Sequence, residues 1–194
     1  MDAFCNSAWT LFSSGIIKST NKNVTFENAQ LVIEVLGSPN TIQKESISEA
    51  CLGCICAAIS DCNSTLQCDG DTCGLFRITW AYYADAGKPV LPGDNPAAPD
   101  AYSKCTTNPT CAAQTVINYM NKFAQDCNHD GKINCYDYAA IHKLGGYGCS
   151  GLGAENPYYR KFDQSLQISL KTLFLKKKFL IFFKAQQFFF HVYP

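Results

Sequence analysis

Cysteine spacing constrains the fold of this chain more than any other feature. Eleven of the twelve cysteines lie between Cys51 and Cys149, and Cys5 stands apart from them. So dense a set in one small domain is typical of a disulfide framework formed in an oxidising compartment, which predicts secretion. The run Cys51-Leu-Gly-Cys54-Ile-Cys56 also allows interpretation as part of a zinc site. Tetrahedral zinc, however, takes two ligand pairs separated by a longer spacer, and the remaining cysteines do not supply one.

We therefore expect disulfide bonds among the eleven clustered cysteines, which are Cys51, Cys54, Cys56, Cys62, Cys68, Cys73, Cys105, Cys111, Cys127, Cys135 and Cys149. Because eleven is an odd number, one of them is left unpaired or pairs with Cys5. The connectivity itself does not follow from the spacing, since many pairings fit one set of positions.

The first cysteines lie on a predicted helix. Ser46-Ile-Ser-Glu49 fits a capping box that would start this helix at Ser46. Cys51 and Cys54 would share one face of it, and the helix is predicted to end near Ser60. One flank of the helix is therefore expected to be tied to other parts of the chain.

A small sheet is predicted next. Asp69-Gly70, between Cys68 and Cys73, is a tight-turn signal and predicts a hairpin closed by cysteines. Residues 73–80 alternate as a strand does, and the proline-rich segment 91–99 is predicted to be a loop.

Two further helices complete the predicted fold. Thr110 is predicted to cap a helix in which Val116 and Met120, among other apolar residues, recur at helical spacing. A shorter helix is expected from Tyr136 to Leu144, with a glycine ending it. Together these elements predict a small, mainly helical, disulfide-rich α+β domain with a minor hairpin or sheet.

The order of these motifs resembles the invertebrate-type lysozyme family, also called the destabilase family, and its insect branch in particular. The matching motifs are Cys51-Leu-x-Cys-Ile-Cys, Cys73-Gly-Leu-Phe-Arg-Ile-Thr-Trp80, Asp85-Ala-Gly-Lys-Pro89, Cys105, Cys111 and Gly145-Gly-Tyr-Gly-Cys149, and they span about residues 47–164. The resemblance implies a lysozyme-like fold over residues 46–164. It also implies a secreted protein that acts on bacterial peptidoglycan in defence or digestion, by hydrolysing its β-1,4 glycosidic bonds as a muramidase.

The catalytic carboxyl groups implied by the resemblance are missing at the positions where they should occur. Glycoside hydrolysis takes two carboxyl groups, one of which is protonated and acts as the general acid. In active family members the acid is a glutamate three residues after the second cysteine of the Cys-x-Cys pair, and that position is Ile59 here. The second carboxylate belongs to the following hairpin, which is shortened in this chain. Asp61, Asp69 and Asp71 are weak substitutes, because each is interpreted more readily as a solvated turn residue.

Two other functions remain open. A non-catalytic descendant would bind peptidoglycan or chitooligosaccharides through the groove, using aromatic residues such as Trp80, Tyr82 or Tyr83. Some relatives are isopeptidases with a serine nucleophile, where this chain has Thr72, and His142 is the candidate base. Whether the chain is an enzyme is therefore left open by its sequence.

One loop fits a calcium-binding pattern. The segment 126–137 matches D-x-[DN]-x-[DN]-G-x₅-E, except that aspartate replaces the final glutamate. The oxygen donors would be Asp126, Asn128, Asp130, Lys132, Asn134 and Asp137. The predicted calcium would be structural, and catalysis is expected to need no cofactor. Alternatively, the two cysteines in this loop fix its shape without a metal.

The net charge limits the expected partners, and the terminal sequences limit the extent of the predicted domain. The formal net charge is zero, so neither nucleic acid nor a membrane is expected as an obligatory partner, and we expect a monomer. Residues 1–45 match a secretory signal poorly and are interpreted as a non-family extension or a wrongly assigned signal region. Residues 165–194 form a basic, apolar tail, interpreted as non-native sequence, although such a segment can also lie on a membrane surface.

Sequons for N-glycosylation occur at two places. Asn23-Val-Thr25 and Asn63-Ser-Thr65 would be usable acceptors in a secreted protein, whereas the proline in Asn108-Pro-Thr110 blocks a third.

Overall fold

The computed structural model describes residues 42–192, and the structural statements below concern that part of the chain. The helices, in chain order, are α1 (Glu49–Ser60), α2 (Trp80–Asp85), α3 (Ala101–Thr107), α4 (Pro109–Phe123), α5 (Cys135–Leu144) and α6 (Pro157–Val192). The strands have two residues each and are β1 (Gln43–Lys44), β2 (Cys68–Asp69), β3 (Thr72–Cys73), β4 (Ile78–Thr79) and β5 (Lys132–Ile133). The expected mainly helical α+β domain with a minor sheet is confirmed.

Helix α1 is the central element of the core. Residues 51–58 of this helix are all buried, so it is surrounded by other elements along most of its length. The helix starts after Ser48, whose side chain accepts a hydrogen bond from the Cys51 N–H at 3.2 Å. The predicted capping residue, Ser46, was therefore wrong by two positions. The predicted end near Ser60 is confirmed, and Asp61 leaves the helix in the left-handed region with φ 57°.

Helix α6 covers one side of α1. Phe162 and Leu166 of α6 are buried in the same cluster as Ile55 of α1, and Ser169 is 1% exposed. Packing on α1 thus continues past residue 164, the predicted end of the domain. The identity of residues 165–194 as native or non-native sequence stays a prediction. Within residues 42–192, no helix has the length and hydropathy that crossing a bilayer requires.

The three-stranded antiparallel sheet has the order β2-β3-β4, and Cys68 pairs with Cys73 in the β2–β3 register. The predicted cysteine-closed hairpin is confirmed by the disulfide between these two residues. The single strand predicted over residues 73–80 was wrong, because Cys73 ends β3 and Ile78–Thr79 form β4, with a turn over residues 74–77 between them. Gly74 (φ 68°) and Arg77 (φ 50°) interrupt the extended backbone, and Thr79 caps α2 by accepting the N–H of Tyr82.

Helix α4 starts differently from the prediction. Its N-cap is Asn108, whose Oδ1 accepts the N–H groups of Thr110 and Cys111 at 3.0 and 3.1 Å. Pro109 occupies the first helical position, where its missing N–H costs nothing. Thr110 is therefore inside the helix rather than its cap. The predicted core role of Val116 is confirmed, since it is fully buried.

Helix α5 follows the sequence prediction closely. It starts at Cys135, one residue before the predicted Tyr136, and ends at Leu144, where Gly145 has φ 93°. Strand β5, just before it, pairs in parallel with β1.

The described cysteines are all disulfide-bonded. The pairs are Cys51–Cys135, Cys56–Cys62, Cys68–Cys73, Cys105–Cys111 and Cys127–Cys149. Cys54 is disulfide-bonded as well, so the described part of the chain contains no free cysteine. The predicted disulfide framework is thus confirmed, and no described thiol remains for zinc. Cys5, the alternative partner for the odd cysteine, lies outside the described residues.

Candidate functional site

A groove of about 530 Å³ lies where α1, the hairpin, α2, α4 and α5 meet. Each of these elements contributes side chains to its walls. The lining residues are Ile59, Thr72, Arg77, Thr79, Ala81, Tyr82, Asp85, Tyr119, His142, Lys143, Leu144, Gly145 and Tyr147. A cleft of this size, with apolar walls and a few polar groups, is the usual form of a ligand site.

Ile59 lies in the wall of this groove, in the last turn of α1. The neighbouring Ser60 hydroxyl donates a hydrogen bond to the Leu75 carbonyl oxygen, which joins the end of the helix to the segment after β3. The position at which the resemblance expects a general acid therefore faces the groove. An aliphatic side chain there neither donates a proton nor stabilises charge.

Asp85 is the carboxylate that lines the groove among the described residues. The Nζ atom of Lys122 lies 2.8 Å from Asp85 Oδ1 and 3.2 Å from the Asp85 carbonyl oxygen. The hydrogen bond to this carboxylate raises the pKa of the Lys122 ammonium, so the two groups stabilise each other's charged forms. Asp85 thus forms an ion pair with a lysine at the groove wall.

The predicted substitute carboxylates lie outside the groove lining. Asp61 pairs with Lys161 of α6 at 2.6 Å, and its side chain is 77% exposed. Asp69 lies 3.6 Å from the Arg77 guanidinium and is also exposed. Asp71 is exposed in the turn between β2 and β3. None of the three side chains therefore takes the place of the missing acid in the groove wall.

His142 lies in the groove wall with both ring nitrogens in hydrogen-bonding contact. Its Nε2 is 3.0 Å from the Phe76 carbonyl oxygen, which can only accept, so Nε2 carries the proton. Its Nδ1 is 3.3 Å from the Tyr82 hydroxyl and accepts from it. Burial lowers the pKa of His142 to about 4, despite the opposing effect of the hydrogen bond to Phe76. The imidazole is therefore neutral near pH 7.

Thr72 and His142 line the same groove, which is the arrangement that the isopeptidase hypothesis needs. The Thr72 hydroxyl, however, donates to the Asp69 carbonyl oxygen at 3.4 Å. Neither nitrogen of His142 has a lone pair available for the threonine, since one is protonated and the other accepts from Tyr82. The described contacts thus do not form a nucleophile–base pair.

The aromatic residues proposed for substrate binding are placed in three different environments. Tyr82 lines the groove but is largely buried, with its ring stacked on Tyr119 at 3.6 Å between centroids. Trp80 is 57% exposed and lies outside the groove lining, next to Lys88. Tyr83 is 2% exposed and packs into the core against Tyr102, so its predicted place in the groove was wrong.

Tyr147 is an exposed aromatic residue of the groove that the sequence did not single out. Its side chain is 82% exposed, and its ring contacts Phe123 edge-on at 5.0 Å between centroids. The preceding Gly146 lies so close to Phe123 that a Cβ atom would come within 2.2 Å of its ring. Gly146 also donates its N–H to the Tyr119 hydroxyl at 2.9 Å. These contacts fix the backbone that carries Tyr147 to the groove.

With this geometry established, comparisons with known proteins define the family. The family model described as Destabilase matches residues 48–165, more than half of the chain. A lysozyme from Magallana gigas is 33% identical over 123 residues, covering 60% of this chain and 80% of that protein. Invertebrate-type lysozyme 3 from Caenorhabditis elegans is 33% identical over 118 residues, covering 58% of this chain and 83% of its own length. This chain belongs to the invertebrate-type lysozyme, or destabilase, family.

Among solved structures, a chain of the crystal structure of Aeromonas hydrophila PliI in complex with Meretrix lusoria lysozyme also matches. It is 29% identical, the match covers 60% of this chain and 88% of that chain, and the TM-score is 0.45. The assignment to the insect branch of the lysozyme family stays a prediction.

The loop predicted to bind calcium in this lysozyme-family chain is held by its own hydrogen bonds. Asp126 accepts the N–H groups of Asp130 and Gly131 at 3.2 and 2.9 Å. Asp137 is fully buried and accepts the N–H groups of Cys127 and Asn134, both at 2.8 Å. The hydrogen bond from the Asn134 N–H to Asp137 completes a capping box at the start of α5.

The other predicted ligands are placed as follows. Of the predicted ligands, Asn128 and Lys132 are exposed, whereas Asn134 caps α5 through its side chain. Within residues 42–192, no three acidic, histidine or cysteine residues cluster in a way that suits a metal ion. Calcium binding stays a prediction of the sequence pattern.

Proposed function

We propose that this protein is a secreted, monomeric lysozyme-family protein that binds bacterial peptidoglycan in the groove without hydrolysing it. The observation that carries the proposal is Ile59, an aliphatic residue in the groove wall at the position that the family resemblance assigns to the general acid. A groove that retains its walls but lacks this acid is suited to holding a sugar chain rather than cleaving it.

The chemistry of hydrolysis supports this view. Retaining glycosidases place their two carboxyl groups about 5–5.5 Å apart, and inverting ones about 6.5–9.5 Å apart, across the scissile bond. Here Asp85 is the carboxylate among the described lining residues, and it is paired with Lys122. Losing a positioned general acid costs roughly 10²–10⁴ in rate, before the loss of the second carboxylate is counted.

The groove also has what sugar binding requires. The Tyr147 ring is an exposed part of the groove lining and offers a flat apolar surface to a sugar ring. Arg77, Thr79 and Lys143 line the walls and supply donors for sugar hydroxyl groups and for the carboxylates of peptidoglycan stems. Secretion is supported by the disulfide framework of the described residues.

Co-sedimentation with insoluble peptidoglycan tests the proposal. We expect the full chain to sediment with the walls, and Tyr147→Ala to weaken its binding about tenfold, since aromatic residues are prominent among the contacts whose truncation costs more than about 1 kcal/mol. Trp80→Ala is the matched control, because it removes another exposed aromatic ring that does not line the groove. Equal loss with both variants, or no binding by the native chain, would contradict binding in the groove.

A hydrolytic lysozyme is the second candidate function, because the two relatives named above are themselves called lysozymes. In that case, a carboxyl group other than those discussed would have to act beside Ile59, and wall clearing would accompany binding.

A further inference from the structure

We propose that Asn63 is a site of N-linked glycosylation, on the loop between α1 and the β2–β3 hairpin. The proposal rests on the chain passing through the secretory compartment, as proposed above, but it is independent of what the groove binds. Asn63-Ser-Thr65 has the acceptor pattern, with serine rather than proline in the middle. The three residues are all exposed, so a bulky glycan there displaces no packing.

The local geometry leaves the acceptor nitrogen available. Asn63 Oδ1 accepts the Thr65 N–H at 3.0 Å and the Thr65 hydroxyl at 2.7 Å. The Asn63 Nδ2 atom makes no hydrogen bond to the described residues. Modification would therefore cost no hydrogen bond of the fold. The backbone around the site is a compact turn, since the Leu66 N–H donates to the Asn63 carbonyl oxygen at 3.3 Å.

The chemistry needs a second reactant, a lipid-pyrophosphate-linked oligosaccharide, and its membrane transferase. Asn63 Nδ2 attacks the anomeric carbon of the oligosaccharide. The new N–C bond forms as the bond from that carbon to the pyrophosphate oxygen breaks. The lipid pyrophosphate leaves with the electron pair, and the amide loses one proton to a base of the transferase.

The sequon at Asn108 is a natural contrast in the same chain. Its middle residue is Pro109, and its Asn108 side chain caps α4 by accepting the N–H groups of Thr110 and Cys111. Because proline occupies the middle position of this sequon, we expect Asn108 to remain unmodified.

The site also lies next to the groove. Asn63 follows Ile59 by four residues, so their Cα atoms are at most about 14 Å apart. The loop connects α1 to the hairpin, and both of these elements contribute to the groove wall through Ile59 and Thr72. A glycan on Asn63 would therefore be attached within about 14 Å of Ile59 in the groove wall.

The test is cell-free translation of the full chain, fused to a heterologous secretory signal, in the presence of microsomes. Asn23→Gln removes the other usable sequon in every sample. Only protease-protected chains are scored, so every scored chain has reached the lumen whether or not it folds. We expect a gel shift of one glycan, reversed by an amidase that releases N-linked glycans.

Substitutions at the sequon make the assignment specific. Asn63→Gln and Thr65→Ala should abolish the shift, whereas Thr65→Ser should retain it. Protected chains that carry Asn63 and run at the unmodified mass would overturn the proposal, as would a shift that persists in Asn63→Gln. Because the signal is supplied, failure here would not bear on the native route of secretion or on peptidoglycan binding.

Discussion

The Tyr82 hydroxyl lies 3.3 Å from Nδ1 of His142, which accepts a hydrogen bond from it because Nε2 is the protonated ring nitrogen. The hydroxyl donates to Nδ1, while the protonated Nε2 donates to the Phe76 carbonyl oxygen at 3.0 Å. His142 therefore connects α5 to α2 and to the segment before β4 as a neutral ring. Protonating Nδ1 would remove the lone pair to which the Tyr82 hydroxyl donates and would place a charge in a desolvated position.

We expect the stability of the protein to fall as the pH is lowered from about 6.5 to about 4. The folded state holds the pKa of His142 at about 4, below its ordinary value of 6.5. Between these values the unfolded chain binds more protons than the folded one, so acid favours unfolding. The loss is on the order of 3 kcal/mol when the pH has passed below the folded pKa.

Urea unfolding at several pH values measures this effect. His142→Gln, which cannot titrate, should show a smaller loss over the same range, so the difference between the two proteins reports on His142 alone. Equal slopes for both proteins would show that His142 does not titrate abnormally.

The same contacts predict that the protein is not an isopeptidase. His142 has no free lone pair with which to take a proton from the Thr72 hydroxyl. We expect no release of lysine from a γ-glutamyl-ε-lysine peptide, measured by chromatography, and the same result for Thr72→Ala. Turnover by the native chain that Thr72→Ala abolishes would establish the activity.

Gly74→Ala is expected to destabilise the domain by more than about 4 kcal/mol. Gly74 has φ 68°, and a Cβ atom on it would lie 1.8 Å from the Thr106 carbonyl oxygen, so α3 and the hairpin would have to separate. Gly87→Ala is the matched control, because Gly87 has φ 85° but nothing within 4 Å of its Cβ position.

The control isolates the cost of the backbone conformation, which is about 1–2 kcal/mol. Thermal unfolding of both variants measures the difference. Similar melting temperatures for the two would mean that the close approach to Thr106 does not matter.

The hydrogen bonds of Asp137 predict that the 126–137 loop is stable without calcium. Asp137→Ala should cost about 3 kcal/mol, because the buried N–H of Cys127 and the half-buried N–H of Asn134 lose their acceptor. Chelating calcium should leave the melting temperature of the native chain unchanged. A melting temperature that rises with added calcium, and no longer rises in Asp130→Asn, would instead establish the site that the sequence pattern predicts.

Much of the fold was predictable from local sequence signals, and the errors of the prediction also have local causes. The hairpin turn at Asp69-Gly70 and the end of α5 at Gly145 follow from short-range turn chemistry. The helix starts were misplaced because Ser48 and Asn108 competed with nearby residues of similar capping ability. The strand predicted over 73–80 is divided between β3 and β4 because Gly74 and Arg77 adopt left-handed backbone conformations, which alternation of polarity does not report.

The candidate site was only partly predictable. Ile59 could be located by counting from Cys56, because the family motif fixes that spacing. Asp85 and Tyr147 could not be assigned to the groove, since they come from distant elements that only the tertiary packing brings together. The burial of Tyr83 likewise depends on which face of α2 is turned to the core, and α2 was not among the helices predicted from the sequence.

Clearing of a suspension of lysozyme-sensitive bacterial walls by the full chain tests the central claim most directly. It is followed by turbidity, with an active lysozyme and Ile59→Glu in parallel and with wall-bound protein measured in the same samples. We predict that the native chain binds the walls and leaves the turbidity unchanged. We also predict that Ile59→Glu does not restore clearing, because Asp85, the carboxylate among the described lining residues, is paired with Lys122. Clearing by the native chain at a rate comparable to the active lysozyme would contradict the account.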